Sequence, residues 1–302
     1  MSARIIDGEA LAARIIEGLK QEIDELKKQG RPPHLFAVQV GADPGSTIYA
    51  KNQQKSCEPV GIEYTLDQLP ADVTQDQLLA HVKKLNEAPH CTGVILLAPF
   101  PQQINSMAIR RALSPDKDVE GLHPANLGMV VYGEPKLPPC TPMGVVEILK
   151  SLGLKLYGAE VVLVGHSEPV GKPIALLLLK EFSTVTVCHI ATSQAGKLAE
   201  HTRTGDILIV AAGKAGLIKA EMIKPGAIVI DVGINRVPML SPDGKPMLNE
   251  KGKPKMQTVG DVAFDEAKEV ASQITPVPGG VGPMTVAMLL RNTVTAAKAG
   301  AR

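Results

Sequence analysis

Five apolar runs, "HLFAVQV", "GVILLAPF", "AEVVLVG", "DILIVAAG" and "GAIVIDVG", constrain this chain more than any other feature. A strand that is apolar along its whole length is buried on both faces, and such strands alternating with helices build a parallel sheet. The first series opens with Leu11, Ile15, Leu19, Ile23 and Leu26 at helical spacing, with Asp7 ahead of them and Gly30 behind as cap and stop. A strand at 34–40 follows, then a helix over about 46–60, a strand near 63–69, a helix over 74–86 and the run beginning at Gly93.

A second series begins after the Pro-rich "YGEPKLPPCTPMG". It carries strands ending at Val164, His189 and Ala211, a helix from about Val170 and a further strand over "GAIVIDVG". Between Asn235 and Gln257 the alternation breaks, and Pro242-Asp243-Gly244 reads as a hairpin turn. "ITPVPGGVGP" leads into a last helix, expected from Met284 to about Ala297. The expected fold class is α/β, with two α/β domains, the second a doubly wound parallel sheet. Ligands on such sheets sit beyond the carboxyl ends of the strands, so the loops after Val40 and Leu97 are the places to look in the first.

Composition narrows the function. With 302 residues, 32 basic and 31 acidic side chains and a formal charge of +1, the electrostatic footprint of a nucleic-acid or membrane-surface binder is missing. No run of about 18 apolar residues occurs, so the reading is a soluble, cytoplasmic small-molecule enzyme. Cys57, Cys91, Cys140 and Cys188 lie far apart with no C-x-x-C pair, which argues for packed, reduced thiols and against a metal site or a disulfide framework. Cys188 and His189 are adjacent on an expected strand, where neighbours face opposite ways, which argues against a nucleophile and its base.

"VVLVGHSEPVGKP" puts Gly165 and Gly171 at a strand-to-helix turn, where backbone N–H groups at a helix start can receive a pyrophosphate. The next strand runs into Ile190 and Ala191, with neither a carboxylate for a ribose 2′-hydroxyl nor an arginine for a 2′-phosphate. His166, Thr192 and Ser193 are the polar groups nearby. These residues choose neither NAD nor NADP.

Several segments together, "GADPGSTIYAKN", "SPDKDVEGLHPANLG", "CTPMGVVEIL", "VVLVGHSEPVGKPIALLL", "GAIVIDVGIN", "GDV" and "ITPVPGGVGPMTVAMLLRNT", resemble the methylenetetrahydrofolate dehydrogenase/cyclohydrolase family, the FolD type, across nearly the whole chain. The resemblance implies a folate domain from residues 1–147 plus 276–302, a Rossmann-type NAD(P)-binding domain at 148–275, a cleft separating them and usually a homodimer formed through the cofactor domains. It implies NADP, with NAD as the alternative, as acceptor of a hydride from 5,10-methylenetetrahydrofolate. Cyclohydrolysis of the methenyl product to 10-formyltetrahydrofolate follows, in the one-carbon metabolism that serves purine biosynthesis. Cofactor contacts fall on Gly165, His166, Ser167, Val170, Gly171, Ile190, Gly233 and Ile234, and substrate contacts on Ser46, Tyr49, Glu120, Pro278, Gly279 and Gly280.

The family's catalytic positions transfer unevenly. Tyr49 matches the tyrosine that stacks on the folate ring. Gln53 stands where the family has its proton-handling lysine, Leu97 where a glutamine orients that lysine, and Glu120 where an aspartate grips the pterin. Lys51 lies about 200° around the helix from Tyr49 and cannot substitute. An amide does not titrate near neutrality, so the expectation is a dehydrogenase with weak or lost cyclohydrolase activity. Two alternatives stay open: an ordinary bifunctional enzyme that hydrolyses through Glu120 or water, and a non-catalytic folate- or nucleotide-binding relative. In the cofactor turn, the family's usual arginine is His166 and its usual Ser-basic pair is Ile190-Ala191, which leans towards NAD or low discrimination.

Overall fold

The computed structural model describes residues 2–241, 245–248 and 252–300. In chain order the elements are β1 (Arg4–Ile5), α1 (Gly8–Lys28), β2 (His34–Val40), α2 (Pro44–Cys57), β3 (Glu63–Leu69), α3 (Gln75–Glu87), β4 (Gly93–Leu97), α4 (Ser106–Ala112), α5 (Pro124–Tyr132) and α6 (Cys140–Ser151). There follow β5 (Glu160–Val164), α7 (Gly171–Lys180), β6 (Thr184–Cys188), α8 (Ile190–Gln194), α9 (Leu198–Thr202), β7 (Ile207–Val210), β8 (Ile228–Asp231), β9 (Asn235–Pro238), β10 (Met256–Val259), α10 (Phe264–Ala267), β11 (Gln273–Ile274) and α11 (Val281–Ala299).

Two compact units result. One comprises residues 1–11 and 144–284, the other residues 12–143 and 285–302, where the sequence reading drew the divisions at 147 and 275. The second unit holds a parallel sheet of order β3-β2-β4. Phe36, Val38 and Val40 of β2 are buried with Leu78, Val82 and Leu85 of α3 and with Val94 and Leu96 of β4. Alternate residues of each strand thus meet one face of the helix beside them, as the period-2 and period-3.6 patterns require. Asp7 accepts the Ala10 N–H at 2.9 Å at the start of α1, and Ile23 and Leu26 are buried along the helix.

The other unit holds a six-stranded sheet of order β1-β11-β8-β7-β5-β6, parallel throughout. The two-residue strands β1 and β11 escape a periodicity reading. Cys188, the last residue of β6, is buried while His189 after it is exposed, and all four cysteines are buried and free. Helix α11 begins at Val281, three residues before the expected Met284, because Pro283 in a helix's first turn sacrifices no hydrogen bond. β9 and β10 pair antiparallel, and the expected turn at Pro242-Asp243-Gly244 lies outside the described residues. Among the described residues no helix is long and apolar enough to cross a membrane, and no cluster of His, Cys, Asp and Glu could hold a metal ion.

Candidate active site

In the sheet β3-β2-β4, the carboxyl ends of β2 and β4 lead into the segments that carry the family's catalytic positions. Asp43 caps α2, taking the Ser46 N–H at 2.8 Å, and the Ser46 hydroxyl reaches the Ala98 carbonyl at 2.7 Å and Asp43 Oδ1 at 3.0 Å. Ser46, expected to meet substrate, therefore has its one hydroxyl proton engaged in tying α2 to the end of β4. Tyr49 and Gln53 share a face one turn apart, whereas Lys51 is exposed. Gln53 is fully buried and its Oε1 accepts the Tyr64 hydroxyl at 3.0 Å. Leu97 is buried at the last position of β4.

Glu120 sits on a loop that its neighbours hold rigid. Asp118, buried, accepts N–H bonds from His123 at 2.7 Å, from Gly121 at 3.2 Å and from Asn126 Nδ2 at 2.9 Å. From α11, Asn292 Nδ2 binds the carbonyls of Val119 and Pro138, each at 2.9 Å. Gly121 has φ +78, and a Cβ there would overlap the Pro138 carbonyl, so this turn accepts only glycine. Burial pushes the Glu120 carboxyl up to about 7, against the pull of Arg110 and with help from Asp118. Burial also raises the Tyr49 hydroxyl well above its usual range; Glu120 and Cys140 add to the rise and the Gln53 amide opposes it. Tyr49 thus feels both Gln53 and Glu120, and the Glu120 carboxyl is raised into the neutral range.

In the other unit a cavity of about 320 Å³ opens beyond the carboxyl ends of β5, β6 and β7. β5 lies between β6 and β7, so the chain reverses its direction of winding there, the usual place for a dinucleotide. Gly165, His166, Ser167 and Ile190, named above as expected cofactor contacts, line the cavity, together with His189 and with Lys214, which sequence reasoning did not single out. Lys214 follows the end of β7, and the sheet order that brings that end beside β5 was its only signal. A Cβ on Gly165 would overlap the Ala211 carbonyl, and one on Gly171 the Gly165 carbonyl. Both glycines are required for close packing of the β5–α7 turn against itself and the end of β7, and the cavity beside that turn, lined by Gly165, His166 and Ser167, fits a nicotinamide dinucleotide.

Val170, Gly171, Gly233 and Ile234 do not line the cavity. Gly233 packs against Asp261 and gives its N–H to Asp231 at 2.9 Å, while Ile234 is exposed. Asp231 also accepts from the N–H groups of Asp261 and Val262, and Asp261 from those of Ala212 and Gly213 at 2.6 and 2.8 Å. "DVGIN" and "GDV" therefore brace the loops after β7 and β8. Gly279 and Gly280 lie in this unit too, where the Gly279 carbonyl accepts the Gly8 N–H at 2.9 Å and a Cβ on Gly8 would overlap Gly280. Pro278 beside them is exposed.

Residues 6–120 match the family model described as the tetrahydrofolate dehydrogenase/cyclohydrolase catalytic domain, and residues 139–301 match that of its NAD(P)-binding domain. The chain belongs to the tetrahydrofolate dehydrogenase/cyclohydrolase family. It is 46% identical to the bifunctional protein FolD of Halalkalibacterium halodurans, over 99% of this chain and all of that protein. It is similar to the crystal structure of the bifunctional FolD enzyme of Campylobacter jejuni, with TM-score 0.89 and 41% identity over 99% of each chain. It is also similar to the Trypanosoma brucei FolD enzyme solved with NADP and an inhibitor, with TM-score 0.90 and 38% identity over 100% of this chain and 99% of that one. The first relative is named as bifunctional and the two structures as dehydrogenase/cyclohydrolases, which favours the bifunctional alternative over the loss of cyclohydrolase that Gln53 and Leu97 suggested.

Proposed function

We propose that this protein oxidises 5,10-methylenetetrahydrofolate by hydride transfer to NADP or NAD, and hydrolyses the methenyl product to 10-formyltetrahydrofolate with Glu120 as the proton-handling group. The second step is supported by the place of Glu120 on the loop that Asp118 and Asn292 brace, where its charge reaches Tyr49 and burial raises its carboxyl to about 7. A general acid–base works best with a pKa near the operating pH.

Held beside Gly165, His166 and Ser167, a nicotinamide would supply the hydride acceptor. Oxidation of the one-carbon bridge leaves a cation stabilised by the neighbouring ring nitrogen, so the chain's task in that step is positioning, with Tyr49 as the platform for the ring. A neutral amide at Gln53 adds no positive charge to repel that cation. For hydrolysis, the Glu120 carboxylate takes a proton from water as the oxygen bonds to the methenyl carbon. The resulting acid returns that proton to the ring nitrogen as the carbon–nitrogen bond breaks. The hydroxyl proton leaves to solvent as the formyl carbonyl forms, which balances the overall release of one proton.

A second reading, oxidation without hydrolysis, is favoured by the amide at Gln53, which cannot carry a proton, and by the apolar Leu97. Glu120→Gln distinguishes the two, since it alters hydrolysis only where Glu120 performs it. We propose further that the protein works as a cytoplasmic homodimer paired through the nucleotide-binding unit, where Val187 stands exposed on the sheet's outer strand β6.

For the cofactor, His166 and Lys214 offer donors to a 2′-phosphate, whereas Ile190, 71% exposed at the cavity, offers none. Wild-type kcat/KM for NADP and NAD should accordingly differ by less than about tenfold. His166→Arg, which adds a planar fork suited to phosphate, should raise the NADP-to-NAD ratio by about tenfold or more. Comparison of kcat/KM for both cofactors checks this, and a wild-type preference of hundreds-fold would contradict it.

A further inference from the structure

Gln53 is wholly buried, yet its amide is paired at one end only. Oε1 takes the Tyr64 hydroxyl at 3.0 Å, while Nε2, also shut off from solvent, has no hydrogen-bond partner. A buried donor without an acceptor is costly, and natural proteins keep few that serve nothing. The Tyr49 hydroxyl belongs to the same helix face one turn earlier, and the Gln53 side chain opposes the rise in that hydroxyl's pKa, as a neighbouring donor does. Tyr64 comes from β3, an element outside the catalytic positions carried over from the family.

We propose that Tyr64 is a positioning residue: its hydroxyl holds the Gln53 amide with Nε2 towards the Tyr49 oxygen, which leaves the Tyr49 proton free for an acceptor on the bound folate. The logic is one of direction. A phenol whose oxygen accepts from an amide has its own hydrogen to give outward. If the amide turned over, Oε1 would face Tyr49 and capture that hydrogen, and the folate would lose a donor. Leu97, where the family's orienting glutamine would stand, cannot prevent the turn, so the task falls to Tyr64. Burial raises the Tyr64 hydroxyl well above its usual range and keeps it protonated as the donor this requires.

The assignment rests on the folate reading above, and its test separates the two. Tetrahydrofolate binding to the full-length protein is measured by calorimetry for wild type, Tyr64→Phe, Gln53→Leu and the double variant. Tyr64→Phe should weaken binding about fivefold, the size of one neutral hydrogen bond. KM for methylenetetrahydrofolate should rise in step, with a smaller change in kcat and none in the cofactor KM. Gln53→Leu should weaken binding similarly, and the double variant no further than either single change, because all three break one chain of bonds. Binding by Tyr64→Phe within twofold of wild type, or losses that add in the double variant, would overturn the assignment. Wild-type protein that binds no tetrahydrofolate would overturn the folate reading itself and this assignment with it.

Discussion

Glu120→Gln should slow the hydrolysis of methenyltetrahydrofolate by about 10²- to 10⁴-fold, the range for loss of a positioned general acid–base. Glutamine keeps the size and one acceptor of the side chain but carries no proton to exchange. Oxidation of methylenetetrahydrofolate should persist, with a raised KM if the carboxylate also grips the pterin. In wild type, kcat/KM for hydrolysis, corrected for the buffer reaction, should rise with pH through about 7, because the base must be ionised before water can be activated. The same group gives a stability signature of opposite sense. Its folded pKa of about 7 lies above the usual carboxyl value of 4.5, so the folded state binds more protons between those limits and stability falls as pH rises across that window. Glu120→Gln removes this dependence, and thermal unfolding at pH 5 and pH 8 should show the variant gaining on wild type at the higher pH.

Gly260→Ala should destabilise the nucleotide-binding unit by about 3 kcal/mol or more. A Cβ on Gly260 would overlap the Asp231 carboxylate and approach Val277 Cγ2 to 2.9 Å. Displacing that carboxylate strands the N–H groups of Gly233, Asp261 and Val262, each held at 2.9 to 3.0 Å, in an interior where Asp231 is 3% exposed. Three such losses at about 1 kcal/mol each give the total. Gly18→Ala is the control: it lies within α1 with open space around its Cβ position and should stabilise by roughly 0.5 to 1 kcal/mol. Chemical denaturation of both variants reads the difference, and equal stability of Gly260→Ala and wild type would contradict this bracing role.

Much of the fold was legible because burial leaves its period in the sequence. β2 and β3 occupy the expected ranges, and α3 starts one residue after the Thr74 that caps it. β1 and β11, two residues each, are made by pairing with β8 and with each other and carry no local period. The substitutions at Gln53, Leu97 and Glu120 were visible only through the family resemblance. What the sequence could not show was their environment. The near-neutral Glu120 carboxyl depends on burial and on Arg110 and Asp118 around it, and the Tyr64 bond crosses from β3 to α2 with no spacing rule to announce it. The motif puts Gly233 among the expected cofactor contacts, while its packing against Asp261 is visible only in the fold.

The central claim, two successive reactions on one folate, is tested most directly on one preparation of the wild-type protein. Nicotinamide reduction is followed with 5,10-methylenetetrahydrofolate, and decay of methenyltetrahydrofolate is followed separately against buffer. The account predicts both, with the decay above the buffer rate and increasing with pH through about 7. Reduction accompanied by decay no faster than buffer would contradict the hydrolytic role of Glu120, and absence of reduction with either cofactor would contradict the account as a whole.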